Sequence, residues 1–458
     1  MNFIGREKQL KQISKEINSD SFNVSLIYGR RRIGKSELVK QAVRNFDAKV
    51  IYYECRQITE ESNVKNICSI LEDVYNLPKV GFTTAEEVLD YIFKKACDEK
   101  VVLILDEYPY FRENVKGLDS ILQALIDGYK DESKLSLILL GSFIEVMKTL
   151  VSESNPLYGR SDLVIDLKQM DYYESAQFYP NFNNEDKVRM YSVLGGIPYY
   201  NRLVDDKKSV RENIINLIAS PGARLENEIP LYFSSEISKL TNANEVFTTL
   251  ALGYSKYSDI LNQSHVSSSP TLADVLDKLI KMDIVEKVTP INDENNKKKA
   301  GYYITDNLSL FYFRYIFKYS SQMEIMDEEV FYDKYIAADF EEWFVPHRFE
   351  KICLQYLIRQ NRLGKIDPVI EKIGKYYYDD PKNHANGEFD VVTYDAKGYV
   401  FYEVKFRKHP LSEAMIKEEV SQVEETGLNC YKYVFFSRSG FEGKETENIK
   451  FVSLEELF

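Results

Sequence analysis

The chain has 458 residues, 44% of them hydrophobic and 29% charged, which excludes a disordered or fibrous protein and suggests about three globular domains. Its 59 basic and 72 acidic residues give a net charge of −13, so any nucleic acid would have to contact a local basic surface. No apolar run reaches the ~18 residues of a membrane helix, and the five cysteines and four histidines lack disulfide or zinc spacing. We therefore expect a protein of the reducing cytoplasm without membrane contact.

Short apolar runs alternate with helix-length segments over residues 1–180. These runs cover residues 24–28, 50–53, 101–105 and 136–140. Strands separated by helices indicate parallel β-α-β units, hence an α/β fold. The pattern is mostly helical over about 183–320 and mixed from about 340 onward. Polar segments at 205–208 and 320–329 are the expected linkers.

A glycine-rich motif follows the first apolar run and precedes a predicted helix over 37–46. It matches G-x-x-x-x-G-K-[ST] in full, with Gly29, Arg30, Arg31, Arg32, Ile33, Gly34, Lys35 and Ser36. Glycines allow backbone amides to surround phosphate oxygens, and the helix N-terminus adds partial positive charge. We expect these residues and Glu37 to bind a nucleotide, with Lys35 at the β- and γ-phosphates and Ser36 on magnesium.

Three consecutive arginines occupy the variable positions of this motif. We favour a role in which they cover the outside of the phosphates or pack on neighbouring acids. The alternative is that one of them contacts the nucleotide or a partner domain.

The run over 101–105 ends in Asp106 and Glu107, as expected of a buried parallel strand with functional residues at its carboxyl end. Asp106 would hold magnesium through water, and Glu107 would polarise the attacking water as a general base. After the run over 136–140, Ser142 is a candidate γ-phosphate sensor. An equally good interpretation makes Ser142 the N-cap of a helix over 143–150.

Six motifs in order resemble the archaeal-type ATPases of the STAND branch of AAA+-related P-loop NTPases. They are Phe3-x-Gly5-Arg6-Glu7-x-x-x-Leu10, the glycine-rich motif, Leu105-Asp106-Glu107, Gly141-Ser142, Pro156-Leu157-Tyr158-Gly159-Arg160 and Gly195-Gly196-Ile197-Pro198-Tyr199-Tyr200. The resemblance covers about residues 1–240 and implies ATP as the nucleotide. It also implies that Gly5-Arg6-Glu7 lies near the adenine, that Arg160 is a catalytic charge-stabilising or sensor arginine within one chain or across an interface, and that Pro198 in a helical lid touches nucleotide. The alternative for Arg160 is that Tyr158-Gly159-Arg160 is only a turn.

Residues of about 241–305 have the pattern of a winged helix, with three helices and a hairpin whose wing spans 292–300. The helix over 271–282 would enter the major groove if the module bound DNA. Six lysines and six acids over 265–300 cancel, and only Lys297, Lys298 and Lys299 form a basic cluster. DNA binding and plain interdomain packing therefore both stay open.

Acidic residues at ordered positions mark the C-terminal part. Glu350 lies in an amphipathic helix over 348–357, Asp390 ends a strand-like segment over 388–390, and Glu403 and Lys405 stand two apart in another strand. Residues i and i+2 of a strand share a face, so the carboxylate and the amine point together. Such a set binds Mg²⁺ or Mn²⁺ and places a lysine near the attacking water in phosphodiester hydrolysis. The alternative is a surface Glu/Lys pair.

This set over about 335–458 resembles the PD-(D/E)XK nuclease superfamily, in the C-terminal domain often attached to these ATPases. The leading proline of that family's motif is Phe389 here. The resemblance implies Glu350, Asp390 and Glu403 as metal ligands, Glu403 and Lys405 as catalytic residues, and Gln422 as an accessory polar residue. The net charge of −5 over 335–458 argues against a firm grip on DNA.

We therefore predict a P-loop ATPase domain (1–180), a helical lid (181–240), a winged helix with linker (241–330) and a restriction-endonuclease-like α/β domain (335–458). The leading hypothesis is an ATP-dependent switch or motor that controls a nuclease domain on nucleic acid. The alternative is a STAND-type signalling ATPase whose inactive C-terminal domain recruits a partner. DNA as a partner and a homo-oligomer through the ATPase domain are left open.

Overall fold

The computed structural model describes residues 3–44, 46–79, 81–236, 242–296, 298–380 and 385–458. The chain forms an N-terminal unit (1–170 and 197–199) and a C-terminal unit (171–196 and 200–458). Among the described residues, no helix combines the length and the apolar character needed to cross a membrane.

The N-terminal unit alternates helices and strands along the chain. In order its elements are α1 (Glu7–Ile17), β1 (Asn23–Tyr28), α2 (Lys35–Val43), β2 (Lys49–Glu54), α3 (Glu60–Tyr75), α4 (Ala85–Asp98), β3 (Val101–Asp106), α5 (Tyr108–Asn114), α6 (Leu118–Tyr129), β4 (Leu135–Gly141), α7 (Ile144–Thr149) and β5 (Leu163–Asp166). The strands form one parallel sheet in the order β2-β3-β4-β1-β5. The predicted parallel α/β architecture of this part is confirmed.

The burial of each strand explains its sequence. Strands β1, β3 and β4 lie inside the sheet with every residue buried, which is why each is a nearly continuous apolar run. Strands β2 and β5 lie at the edges, and most of their residues are half-buried or exposed. Strand β5 was not predicted, because four residues with one buried side chain give almost no periodic signal.

The C-terminal unit begins with helices and ends with a sheet. Its helices are α8 (Tyr172–Ala176), α9 (Asn184–Leu194), α10 (Pro198–Asn201, of which Pro198 and Tyr199 belong to the N-terminal unit), α11 (Val210–Leu217), α12 (Glu228–Glu236), α13 (Ala243–Ala251), α14 (Tyr257–Gln263), α15 (Ser269–Lys281), α16 (Asn307–Phe311), α17 (Ser320–Ile325), α18 (Glu328–Tyr335), α19 (Ala337–Asp339), α20 (Val345–Arg362) and α21 (Glu413–Glu425), with π-helical turns at Tyr312–Ile316 and Phe340–Phe344 and 3₁₀ turns at Phe317–Tyr319 and Leu454–Leu457. The segment 205–208, which was predicted to be a linker, is a loop between α10 and α11 and lies inside the C-terminal unit.

The predicted linker over 320–329 is wrong, because α17 and the start of α18 occupy it. Asp327 caps α18 by accepting hydrogen bonds from the amides of Glu329 and Val330. An aspartate followed by two glutamates is an N-terminal helix signal, so the charge of this segment marked a helix start.

The C-terminal sheet is mixed. Its strands are β8 (Lys372–Asp380), β9 (Ala385–Asp395), β10 (Gly398–Lys405), β11 (Cys430–Ser437) and β12 (Ile449–Ser453), in the order β12-β11-β10-β9-β8. The pairs β10–β11 and β11–β12 are parallel, and β8–β9 and β9–β10 are antiparallel. Asp390 lies within β9, so the prediction that a strand ends at this residue is wrong.

Helices α13, α14 and α15 and the antiparallel hairpin of β6 (Val285–Val288) and β7 (Gly301–Ile304) form the helix–hairpin module (243–304). Its loop 289–300 is docked along β8. The Ile291 amide donates to the Lys375 carbonyl at 2.8 Å, and the Asn292 side chain bonds both the amide and the carbonyl of Tyr377. The expected wing thus covers the edge of the C-terminal sheet, where an exposed strand would be prone to pair with other chains.

Many charges of the helix–hairpin module are already paired, some within the module and others with α20, β8 and β9. On the exposed face of α15, Asp274 pairs with Lys278 and Asp277 with Lys281. In the loop, Lys299 pairs with Asp293 and lies 3.9 Å from the ring centre of Tyr377, while Lys297 lies outside the described residues. These contacts favour interdomain packing over DNA binding for this module.

The docked loop yields a prediction. Asn292→Ala removes both hydrogen bonds to β8, so we expect a loss of about 1 kcal/mol in unfolding free energy and faster hydrogen exchange at the Tyr377 amide. Asn296→Ala is the matched control, because the Asn296 side chain bonds Asp293 and the Lys298 amide within the loop. Equal exchange at Tyr377 in the two variants would show that the loop is not held on β8.

Candidate functional site

The glycine-rich motif forms the loop between β1 and α2. Gly29 has φ +154°, and a Cβ there would lie 2.4 Å from the Leu167 carbonyl oxygen, so a larger residue would force the backbone apart. Gly34 is the N-cap of α2 with φ +94°. Ile33 is buried and anchors the loop. The predicted helix over 37–46 begins two residues earlier and ends at Val43.

Lys35 is 5% exposed, and its ammonium group connects the glycine-rich loop with Ser142, the residue that follows β4. Its Nζ donates to the carbonyls of Gly29 at 2.9 Å and Arg30 at 3.2 Å, and to Ser142 Oγ at 2.9 Å. Ser142 in turn donates from its amide and hydroxyl to the two carboxylate oxygens of Glu107. The N-cap of α7 is Phe143 and carries no side-chain cap, so the Ser142 hydroxyl serves this network instead.

Asp106 is 3% exposed and is held at both oxygens. Its Oδ2 accepts from Ser36 Oγ at 2.6 Å and from the Tyr52 hydroxyl, and its Oδ1 accepts from the Glu107 amide at 3.0 Å. The order β3-β4-β1 brings these groups together at the carboxyl ends of the strands, where parallel sheets carry their ligands. The serine hydroxyl and the carboxylate are oxygen ligands suited to Mg²⁺.

The arginines of the loop contact aromatic groups. The Arg31 guanidinium donates to the Tyr110 hydroxyl at 3.2 Å, and the Arg32 guanidinium lies 4.3 Å from the Tyr199 ring centre. The adjacent Pro198 flanks the loop, since a Cβ at Gly34 would lie 3.8 Å from its Cγ. Glu37 is exposed in the first turn of α2.

Two arginines expected to serve the nucleotide are held by other partners. Arg6 is 5% exposed and donates to the Lys168 carbonyl at 2.6 Å. Arg160 forms a bidentate pair with Asp127 of α6, at 3.0 and 2.7 Å, and donates to the Pro156 carbonyl. The guanidinium lowers the pKa of the Asp127 carboxyl by direct hydrogen bonding. None of the described contacts of Arg160 involves the glycine-rich loop.

A second constellation, the acid–lysine cluster, lies in the C-terminal unit. Its members are Glu350 of α20, Lys375 of β8, Asp390 of β9, Glu403 and Lys405 of β10 and Glu419 of α21. The β9–β10 ladder ends at the Val391–Tyr402 pair, one position before Asp390 and Glu403, so these two acids are neighbours on one face. Opposite them the β8–β9 register shifts, and Lys375 faces two residues of β9. Such a bulge re-aims side chains.

Each acid of the two strands is paired with a lysine. Lys375 Nζ lies 2.6 Å from Asp390 Oδ1, and Lys405 pairs with Glu403 and, at 3.2 Å, with Glu419. Sequence reasoning missed Lys375 because it missed β8, and it chose Gln422 on α21 where Glu419 makes the contact. Gln422 is exposed.

Burial and mutual repulsion disfavour full ionisation of the cluster. Burial, with the negative charge of Asp390, raises the pKa of Glu350 to about 8. Burial, with Glu419 and Asp390 and against the attraction of Lys405, raises the pKa of Glu403 to about 7. Near neutral pH these two carboxyls are therefore held partly in their protonated forms, and a cation placed beside them would favour ionisation.

The arrangement of these acids, however, is not that of a metal centre. No set of three acidic, histidine or cysteine side chains among the described residues is placed to hold a metal ion. The carboxylates fit Mg²⁺ in kind but not in their present positions, where Asp390 and Glu403 are turned to lysines.

Comparison with known proteins relates both parts to families. Residues 3–203 match an ATPase domain predominantly from Archaea, and residues 312–421 match archaeal and bacterial proteins of unknown function. An uncharacterised protein of Methanocaldococcus jannaschii is 29% identical over 99% of this chain and 100% of its own length. An uncharacterised ATP-binding protein of the same organism is 26% identical over 48% of this chain and 73% of its own length.

A solved structure shares the fold. The Walker-type ATPase PABY2304 of Pyrococcus abyssi aligns with a TM-score of 0.51 at 18% identity, covering 68% of this chain and 96% of that chain. The α/β fold with its parallel sheet therefore matches that of a Walker-type ATPase. The winged helix and the nuclease fold stay predictions.

The raised pKa of Glu350 predicts a pH effect. The folded value of about 8 exceeds the unfolded value of about 4.3, so wild type loses stability as pH rises through this window. Glu350→Gln removes that loss, although Asp390, Lys375, Arg348 and Glu403 remain around it. In urea unfolding at pH 5, 7 and 9, the free energy of unfolding of the variant should rise relative to that of wild type as the pH increases.

The control for this prediction is Glu418→Gln on the exposed side of α21. It should follow wild type at every pH. If Glu350→Gln also runs parallel to wild type from pH 5 to 9, the carboxyl is not destabilised by its surroundings.

Proposed function

We propose that the chain binds and hydrolyses ATP in a magnesium-dependent manner and that this cycle controls the C-terminal domain. The observation that carries the proposal is the hydrogen-bonded network of Lys35, Ser142, Glu107, Ser36 and Asp106. At the carboxyl edge of the sheet this network brings together the buried ammonium of Lys35, the hydroxyl of Ser36 with the carboxylate of Asp106, and the carboxylate of Glu107. The hydroxyl–carboxylate pair is of the kind that binds Mg²⁺, and Glu107 is the proposed general base. The match to an archaeal ATPase domain and the named ATP-binding relative support ATP as the nucleotide.

Each residue has a distinct role in this proposal. Lys35 leaves loop carbonyls and neutralises the β- and γ-phosphates, which costs little because one set of oxygens replaces another. Ser36 and Asp106 would hold Mg²⁺, whose chemistry is to neutralise phosphate charge. Glu107 accepts a proton from the attacking water, and Ser142, bonded to both Lys35 and Glu107, responds to the γ-phosphate.

The loop surroundings have supporting roles. Arg30, Arg31 and Arg32 shield the outer side of the phosphates, and Pro198 closes the loop from the segment 197–199. We also propose that Arg6 lies near the adenine and that Arg160 stabilises charge on the phosphates. Arg160 would first have to exchange Asp127 for the nucleotide, within one chain or across a homo-oligomer interface.

The chain itself offers a route for control of the C-terminal unit. Helix α9 leads through Gly195 and Gly196 into the segment 197–199 of the N-terminal unit. Within the C-terminal unit, Glu185 of α9 pairs with Arg438. The Arg438 amide donates to the Lys405 carbonyl at 3.1 Å. A displacement of α9 would therefore bear on the strand that carries Glu403 and Lys405.

The general base gives the first test. Glu107→Gln preserves the shape that Ser142 contacts but cannot take the proton, so we expect ATP binding to be kept and turnover to fall by ~10²-fold or more. Lys35→Ala, the comparison variant, should lose binding because the phosphates lose their fixed cation. Undiminished hydrolysis by Glu107→Gln would remove Glu107 from this role.

For the C-terminal domain we propose metal-dependent cleavage of nucleic acid, with DNA as the first candidate substrate. It is supported by the neighbouring acids Asp390 and Glu403 and by Glu350, which approaches them from its helix closely enough to feel the charge of Asp390. Mg²⁺ or Mn²⁺ would require Asp390 and Glu403 to leave their lysines. Lys405 would then be near the reacting phosphate.

The alternative is a signalling ATPase with an inactive C-terminal domain that recruits a partner. The lysine pairs of Asp390 and Glu403 favour it, because they make the acids part of the fold's own electrostatics. The docked loop of the helix–hairpin module favours it too, since that loop is engaged with β8.

A cleavage assay separates the two. Wild type, Glu403→Ala and Lys405→Ala are tested with Mg²⁺ or Mn²⁺ on single-stranded, duplex and branched DNA and on RNA, with and without ATP. The nuclease hypothesis predicts cutting by wild type, its loss in both variants with ATPase intact, and no change in Glu418→Ala. No cutting by wild type on any substrate would favour the recruiting role.

A further inference from the structure

The hydroxyl of Tyr52 on β2 contacts Asp106 of the adjacent strand β3, the carboxylate proposed to hold Mg²⁺. In the β2–β3 register Tyr52 is paired with Ile104, two residues before Asp106, and side chains two apart share a face. The phenol extends along that face toward the carboxyl end of the sheet, a distance of about two residues or ~6.6 Å. Its hydroxyl donates to Asp106 Oδ2, the oxygen that also accepts from Ser36.

The surroundings hold the phenol in place. Its hydroxyl and Ser36 Oγ both donate to Asp106 Oδ2, the latter at 2.6 Å. The Lys40 ammonium of α2 lies 4.9 Å from the centre of its ring. The tyrosine thus fixes one oxygen of Asp106 from the side opposite the loop residues.

We infer that Tyr52 is a positioning residue for magnesium binding. Its hydroxyl holds Asp106 in the orientation that the metal–nucleotide complex requires. This inference rests on the proposed ATPase function and adds a residue to it. A hydrogen bond from a half-buried hydroxyl to a charged carboxylate restricts the rotation of that carboxylate. Partners of metal ligands typically change metal affinity by about 10- to 100-fold when they are removed.

The test measures binding, without turnover. Tyr52→Phe removes only the hydroxyl, and a fluorescent, non-hydrolysable ATP analogue is titrated in EDTA and at increasing Mg²⁺. We expect unchanged affinity in EDTA and a rise of about tenfold in the Mg²⁺ concentration for half-maximal binding. A purely structural role would instead lower affinity in both conditions.

Tyr53→Phe is the matched control. Tyr53 is the next residue of β2, points to the other face, and donates to Asn63, a residue of α3. It should keep the wild-type Mg²⁺ midpoint. The inference is overturned if Tyr52→Phe shares that midpoint, or if it loses binding equally in EDTA. If wild type binds no nucleotide even with Mg²⁺, the proposed function fails together with it.

Discussion

The arrangement of the glycine-rich loop depends on the oxygen atoms that accept hydrogen bonds from the buried ammonium of Lys35. A charged group 5% exposed is costly unless it is paired, and here the loop's own carbonyls and Ser142 accept its protons. The loop therefore curls back on its lysine, which a positive φ at Gly29 and Gly34 permits. The proposed function uses the same geometry, because phosphate oxygens would replace these acceptors around the lysine.

Strand order makes this network possible. Strand β4 lies between β1 and β3, so Ser142 at its end stands between the lysine of one neighbour and the glutamate of the other. Edge strand β2 adds Tyr52 behind Asp106. The C-terminal unit follows a different constraint, in which lysines from β8 and β10 hold neighbouring acids that would otherwise repel one another. The helix–hairpin module contributes there as well, since its Lys256 pairs with Glu388 of β9.

The central strands and the loop were predictable because strands buried on both faces are continuous apolar runs and the loop motif has fixed spacing. Strand β8 was not, since its Lys372, Lys375 and three tyrosines give no apolar run. Tyr52 stood among 34 tyrosines, and only the β2–β3 register assigns it to Asp106. Glu419 and Lys375 meet the acids through tertiary packing, which leaves no periodic trace in the sequence.

The most direct test is a crystal structure of the chain with Mg²⁺ and a non-hydrolysable ATP analogue. The account predicts that Lys35 Nζ has left the Gly29 and Arg30 carbonyls for phosphate oxygens, with the metal at Ser36 and its water shell at Asp106. Lys35 still bonded to both carbonyls, with the nucleotide bound elsewhere or not at all, would contradict it.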